Sequence, residues 1–254
     1  MSLIPVSGVV LKSPVLIALV SIGIATLVSM SHLGSPLNAP NSLNNLSGSW
    51  LSREILAIAM YSVSLVLVLA SDRISGYAGS SQYCLLLSSV LGLALLWMMS
   101  RIYLMPTIPP WNSWYTPVSF ASTAACLGSL TFLVLEDVGL VSVYAPFLNM
   151  LSFLLIAVLF LEIVSGFFRQ SQLVKMDAGI EDIVFSQGRL HRLFQFRMAI
   201  LIAVFLALGL IILTSDVLIG SSSRIWVYPL FMLIIAEEIV GRKLFYASYF
   251  RVGV

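Results

Sequence analysis

The chain has 254 residues, a formal net charge of +2 and a strongly apolar composition, with 59% hydrophobic residues, 9% charged residues and a mean hydropathy of +1.03. So few charges over such a length exclude an ordinary soluble enzyme and a nucleic-acid-binding protein, which needs a basic surface. The composition therefore predicts an all-α integral membrane protein that is surrounded by membrane lipid.

Seven segments are long and apolar enough, or nearly so, to cross a hydrocarbon layer, which takes about 17–25 residues. The segments are residues 14–31, 55–71, 83–100, 117–135, 139–161, 198–214 and a last one that starts at Ile225. The first segment lacks a small-residue cleavage site, so we expect a membrane span rather than a cleaved signal peptide. The sequence thus predicts a polytopic helix bundle with seven transmembrane helices, and a short surface helix near residues 180–194.

The loop between the first two spans, residues 32–54, is a long polar interruption with a histidine at one end and a carboxylate at the other. Taken singly, His32 and Glu54 are each explained by a helix end, where they would only complement the helix dipole. Together they can accept protons at the membrane boundary, because histidine titrates near neutral pH and a carboxylate can orient it. We therefore expect the chemistry of the chain at this loop.

Two ionisable residues at the ends of later spans need interpretation. Arg101 ends the third span and is either an anchor whose charged head reaches the interface or the partner of a buried carboxylate. Glu162 directly follows the fifth segment, and we expect it to mark the interfacial end of that span.

The last segment has twelve uninterrupted apolar residues, 225–236, before Glu237 and Glu238. This run is too short to cross a membrane alone. Glu238 and Arg242 are four residues apart, so both lie on one face of a helix. Ionisable side chains at such depth are costly and usually pair inside the bundle. An ion pair that only orders the bundle and a pair with a direct role in a site are both open interpretations.

Alternating the spans across the membrane places ten of the thirteen basic residues on the side that carries loop 32–54, together with four of the five tryptophans. Cytoplasmic positive charge and an aromatic belt explain part of this excess. Arginine and aromatic residues are also enriched where proteins dock, so this side is predicted to bind a soluble partner.

A lipid-soluble substrate that releases protons at the membrane edge is a quinol, whose oxidation yields two electrons and two protons. The sequence offers a base for the protons but no evident electron acceptor. Its two histidines, His32 and His191, are not placed to ligate a haem from facing spans. Cys84 and Cys126 are isolated and lack the spacing of iron–sulfur ligands. We expect no haem, no metal and no iron–sulfur cluster in this protein.

Five motifs, in sequence order, resemble those of the membrane anchor subunits of anaerobic dimethyl sulfoxide reductases. They are HLGSP with NSLN and S-x-L-S-x-E in residues 32–54, WMMSRIY in 97–103, IPPWNSWYTP in 108–117, Arg197 at the start of the sixth span, and AEEIVGRKLFY in 236–246. The family typically has eight spans, one more than is predicted here. The resemblance covers nearly the whole sequence, so we expect residues 1–254 to form a single integral membrane anchor domain.

The resemblance implies a haem-free anchor in the inner (plasma) membrane that binds and oxidises menaquinol in anaerobic respiration. It implies two partners, an iron–sulfur electron-transfer subunit with four clusters and a molybdopterin catalytic subunit. The family associates the histidine of HLGSP and the glutamate that ends the loop with quinol oxidation, a role that carries over to His32 and Glu54. Arg101, Glu238 and Arg242 match further motif positions and are predicted to bind the quinol.

Charge and resemblance disagree about orientation. The charge distribution places the docking side in the cytoplasm, whereas the resemblance implies the outer face. A polytopic transporter or a non-redox membrane scaffold is the alternative function. The terminal acceptor, whether a sulfoxide, an N-oxide or another oxyanion, is reduced by a partner and is not specified by this sequence.

Overall fold

Within the residues that the computed structural model describes, every regular element is helical. The structure describes residues 12–31, 41, 43–74, 80–141, 145–177, 188–214 and 225–249, and no strand occurs in these ranges. The seven α-helices are α1 (Lys12–Ser31), α2 (Trp50–Ile74), α3 (Ser80–Tyr103), α4 (Tyr115–Asp137), α5 (Ala145–Asp177), α6 (Gly188–Thr214) and α7 (Val227–Ala247). The all-α prediction is confirmed.

Six of these helices, α1 to α6, are long and apolar enough to cross a membrane, so the prediction of a multi-pass membrane protein is confirmed. Helix α7 is not among the six. Four charged residues interrupt its apolar run, at positions 237, 238, 242 and 243. With 21 residues, α7 is nevertheless about 31 Å long, close to the thickness of the hydrocarbon layer.

Helices α5 and α6 extend well beyond the segments predicted from hydropathy. The 33-residue helix α5 continues to Asp177, sixteen residues past the predicted end of the fifth span, and α6 begins at Gly188 rather than Met198. The prediction that Glu162 marks an interfacial end was therefore wrong, because Glu162 lies in the middle of α5. Part of the predicted surface helix, residues 188–194, is the start of α6, and residues 178–187 lie outside the described ranges.

The first compact unit contains α1, α2 and α3. Helix α2 packs against both α1 and α3, and Val15, Leu65 and Val68 form a buried cluster. Close approach of α3 to α2 depends on Gly92, where a Cβ atom would lie 3.3 Å from Cε2 of Tyr61. This unit contains Glu54 and Arg101.

The second compact unit contains α4 to α7. Helix α4 packs against α5, α5 against α6, α6 against α7, and α7 against α4, so the four helices close into a bundle. Its apolar core includes Leu130, Leu155, Leu201, Leu208 and Ile234. Large apolar side chains on the outside of the helices, such as Leu206 and Leu210, are exposed, as is required of a surface that faces lipid.

Candidate functional site

A buried ion triad joins three helices of the second unit. Arg197 of α6 forms salt bridges with Glu162 of α5 and Glu237 of α7. Its Nη2 atom donates to Oε1 of Glu162 at 3.1 Å, and its Nε atom donates a short hydrogen bond to Oε1 of Glu237. The three residues are 6%, 2% and 0% exposed, respectively. Charges buried this deeply are tolerated because they are paired.

Space for the Arg197 guanidinium is provided by Gly241, one turn after Glu237 on α7. A Cβ atom at position 241 would lie 2.9 Å from Nε, 3.0 Å from Cζ and 3.1 Å from Nη2 of Arg197. The glycine of the GR pair in the last motif therefore has a packing reason: a side chain there would occupy the position of the guanidinium.

The next two charged residues of α7 meet at one hydroxyl group of α4. Oγ1 of Thr123 lies 2.8 Å from Oε2 of Glu238 and accepts a hydrogen bond from Nη2 of Arg242 at 3.0 Å. The same hydroxyl lies 2.8 Å from the carbonyl oxygen of Ser119. Arg242 also stacks on Phe120, with Cζ 4.1 Å from the ring centroid. Glu238 and Arg242 thus lie on one helical face, as predicted, and both contact α4.

Glu162, Glu237 and Glu238 form one cluster, which we call the glutamate cluster. One carboxylate oxygen of each residue lies within 4.8 Å of the others, close enough in principle to ligate one ion. Within the described residues, Oε2 of Glu162, Oε2 of Glu237 and Oε1 of Glu238 are buried and have no hydrogen-bond partner. The cluster therefore has more acceptors than the neighbouring donors satisfy.

In the first unit, two arginines surround Trp50 at the start of α2. Arg53 donates from Nε to the Leu46 carbonyl and from Nη2 to the Ser47 carbonyl, each at 2.7 Å, which fixes the end of the loop against the helix. The guanidinium carbons of Arg53 and Arg101 lie 4.3 and 4.8 Å from the Trp50 ring centroid.

Glu54 is half-buried and lies one turn after Trp50, so the two side chains lie on the same face of α2. Nε of Arg101 is buried and has no hydrogen-bond partner in the described ranges. The other predicted proton acceptor, His32, lies outside those ranges, together with residues 33–40.

The aromatic motif IPPWNSWYTP lies at one end of the second unit. Trp111 donates from Nε1 to the Phe245 carbonyl at 2.9 Å and stacks on the Phe245 ring with a centroid distance of 5.3 Å. Arg169 donates from Nη2 to Oγ of Ser248 at 3.1 Å. A cavity of about 340 Å³ opens beside these contacts, and its lining includes Pro109, Asn112, Trp114, Arg169, Gln172 and Met176.

Sequence reasoning missed the pairing at the centre of the second unit. Glu162 was interpreted as a helix end, Arg197 only as the start of a span, and Glu237 was not distinguished from its neighbour. One signal was available: each is an ionisable residue inside or beside an apolar run, and such residues usually pair. No spacing rule connects them, because the three residues lie on three different helices.

Comparison with known proteins identifies the family. The family model described as DMSO reductase anchor subunit (DmsC) matches residues 7–248. The C subunit of anaerobic dimethyl sulfoxide reductase from Escherichia coli (strain K12) is 28% identical over 239 residues, which cover 92% of this protein and 80% of the relative.

Two further relatives match shorter parts of the sequence. The anaerobic dimethyl sulfoxide reductase subunit YnfH of E. coli (strain K12) is 36% identical over 111 residues, which cover 42% of this protein and 38% of the relative. The C subunit of the Haemophilus influenzae enzyme (strain ATCC 51907 / DSM 11121 / KW20 / Rd) is 31% identical over 120 residues, with 45% and 41% covered. No solved structure matches. Because the family match extends over nearly the whole sequence, the protein belongs to the DMSO reductase anchor subunit (DmsC) family, whose members anchor dimethyl sulfoxide reductase-type complexes in the membrane.

Proposed function

We propose that this anchor binds and oxidises menaquinol in the inner membrane and passes the electrons to an iron–sulfur subunit. That subunit in turn delivers them to a molybdopterin catalytic subunit, which reduces the terminal acceptor in anaerobic respiration. The observation that carries the proposal is the family match over residues 7–248, which includes the whole of loop 32–54. The anchor itself contributes the membrane attachment and the proton-accepting groups.

His32 and Glu54 are the proposed proton acceptors. Oxidation of one quinol releases two protons and two electrons, so the site needs bases at the quinol hydroxyls and an exit for the electrons. A half-buried glutamate at the start of a membrane helix can hold a proton and pass it to the interface. The electrons leave through the iron–sulfur partner.

Arg101 is proposed to position the quinol. Its buried Nε–H has no protein acceptor within the described residues, and a buried donor without an acceptor loses about 1–3 kcal/mol. A quinol oxygen would provide that acceptor. The Trp50 ring packs against the same guanidinium, and this cation–π contact helps to hold Arg101 in place. The roles of Glu238 and Arg242 in quinol binding stay predictions.

The test is His32→Arg in the assembled, membrane-bound complex. We expect loss of quinol-dependent reduction of the acceptor, because an arginine cannot take up a proton from the quinol. Reduction driven by a soluble dye that bypasses the anchor should continue at the normal rate. Glu54→Gln should likewise lose quinol-dependent reduction and keep dye-driven reduction.

His191→Arg is the matched control, since it makes the same substitution at the other histidine and should leave both activities unchanged. Normal quinol turnover in membranes that carry His32→Arg would remove the assignment of His32. If Glu54→Gln were also fully active, the protein would be better described as a non-redox scaffold.

A further inference from the structure

The hydroxyl of Thr123 has more neighbours than one hydroxyl hydrogen can serve. Its oxygen lies 2.8 Å from the Ser119 carbonyl oxygen and 2.8 Å from Oε2 of Glu238. A backbone carbonyl can only accept, so the hydroxyl hydrogen must point at Ser119 if that contact is a hydrogen bond. The contact with Glu238 then needs a hydrogen from the glutamate.

A protonated Glu238 satisfies all three contacts at once. Thr123 donates to Ser119, accepts from Nη2 of Arg242 at 3.0 Å, and accepts from the carboxyl O–H of Glu238. An ionised Glu238 would leave two acceptors competing for one hydrogen in a buried site, which is unfavourable.

The charges around the glutamate cluster independently indicate that one of its carboxyl groups is protonated. Among the described residues, three carboxylates are buried together, and the two guanidinium groups in direct contact with this network belong to Arg197 and Arg242. Three negative and two positive charges leave one negative charge uncompensated, and one bound proton removes it. The unpartnered oxygens of Glu162 and Glu237 are further acceptors to which such a proton can move.

We propose that the glutamate cluster is a reversible proton-binding site, with Glu238 as the residue that carries the proton. The groups that face the cluster are Thr123 and the buried Cys126 of α4, Arg197 of α6 and Arg242 of α7. Arg169 of α5 lies behind them and acts on the two arginines rather than on the glutamates. This proposal rests on the contacts of α4 to α7 and not on the proposed quinol oxidation at loop 32–54.

A small cavity provides a place for water next to the site. It measures about 20 Å³, is lined by Gly166, Arg169, Gln170, Phe194 and Arg197, and is therefore large enough for about one water molecule. Water there would lie beside the Arg197 guanidinium, next to the buried triad.

A proton fits the site better than a metal ion. Arg197 already contacts two of the three carboxylates, so a metal ion would share its ligands with a guanidinium and meet its positive charge at close range. The shortfall of one positive charge is too small for a divalent cation. A monovalent cation would match the missing charge, and the salt comparison described below distinguishes it from a proton.

Infrared spectroscopy of the intact complex tests the proposal directly. At neutral pH we expect the carbonyl stretching band of a protonated, buried carboxyl group, which shifts on exchange into D₂O and disappears at alkaline pH. Glu238→Gln should remove this band, and Glu136→Gln, a matched change at the end of α4, should retain it. A band that persists unchanged in Glu238→Gln would overturn the assignment to Glu238.

Stability measurements separate a neutral Glu238 from an ionised one. Glutamine imitates a protonated glutamate, so Glu238→Gln should leave the midpoint of thermal unfolding unchanged at neutral pH, whereas Glu237→Gln breaks a salt bridge and should lower it. The wild-type midpoint should fall as the pH rises, since the folded protein holds a proton that an exposed glutamate releases, and Glu238→Gln should weaken this dependence.

Two outcomes of the stability measurements would contradict the proposal. One is a Glu238→Gln variant as unstable as Glu237→Gln. The other is a wild-type midpoint that rises on addition of sodium chloride but not of choline chloride, which would identify a cation site instead.

Discussion

Arg197 contacts Glu162 with Nη2 and Glu237 with Nε, two nitrogens on different edges of one planar group. A lysine ammonium is a single point of charge on a flexible stem and cannot reproduce this fork. We therefore expect Arg197→Lys to lower the free energy of unfolding by about 1–3 kcal/mol, the range for a buried polar group that loses its partner. Thermal or denaturant unfolding of the purified complex in detergent measures the change.

Arg192 provides the control for that prediction, because it lies on the same helix and is exposed. Arg192→Lys should leave stability unchanged. Arg197→Gln should be worse than Arg197→Lys, since it removes the charge that compensates two buried carboxylates, a loss of about 3–5 kcal/mol. Equal stability of the wild type and Arg197→Lys would show that the fork geometry is unimportant.

The close contact with Arg197 also explains why position 241 is a glycine. A methyl group there would lie 2.9 Å from Nε of Arg197. The guanidinium could move away only by lengthening or bending its salt bridges to Glu162 and Glu237. Gly241→Ala should therefore destabilise the bundle by about 1–3 kcal/mol, as overpacking of a filled interior does. Unfolding midpoints in detergent again provide the measurement.

Gly128 of α4 is the matched glycine, because nothing lies within 4 Å of a Cβ atom built there. Gly128→Ala should be neutral or slightly stabilising, as expected for alanine in a helix with free space. If the two substitutions had equal effects, the contact with Arg197 would not be the reason for glycine at position 241.

At the scale of elements, Thr123 is the polar connection between α4 and α7. Its hydroxyl contacts the buried Glu238 and accepts from the half-buried Arg242, so Thr123→Val removes a partner of both groups while it conserves shape. We expect a loss of about 1–3 kcal/mol in unfolding free energy. Thr131→Val on the same helix is the control, since no hydrogen bond of the Thr131 side chain occurs in the described residues, and it should change stability little.

The lengths of α5 and α6 show that hydropathy predicts the apolar part of a helix but not where the helix begins or ends. The apolar run of α5 ends at Leu161, yet the following residues, EIVSGFFRQSQLVKMD, contain no proline. A helix ends where a breaker or cap ends it, whereas an apolar run ends at the first charge. Glu162 therefore marks the end of the apolar pattern but not of the helix, and the same reasoning explains why α6 begins before Arg197.

Across the whole molecule, local patterns were predictable and contacts between helices were not. The shared face of Glu238 and Arg242 follows from a spacing of four residues, and the structure agrees. The triad of Arg197, Glu162 and Glu237 joins residues 35 and 40 positions apart, so its discovery requires the order in which the helices pack. The motif resemblance identified the family because motifs and their order can be read along the sequence, without knowing how the helices pack.

The last prediction concerns the whole protein as an anchor. Deleting it should release the dye-dependent reductase activity from the membrane fraction into the supernatant after centrifugation, because its apolar helices supply the attachment. The purified complex should contain iron and molybdenum and show no haem absorption. Restoring the protein with His32→Arg should return the activity to the membrane without quinol-dependent turnover, which separates attachment from oxidation. A reductase that stays in the membrane fraction after the deletion, or an anchor that purifies as a stable monomer without partners, would contradict the anchor function proposed for this protein.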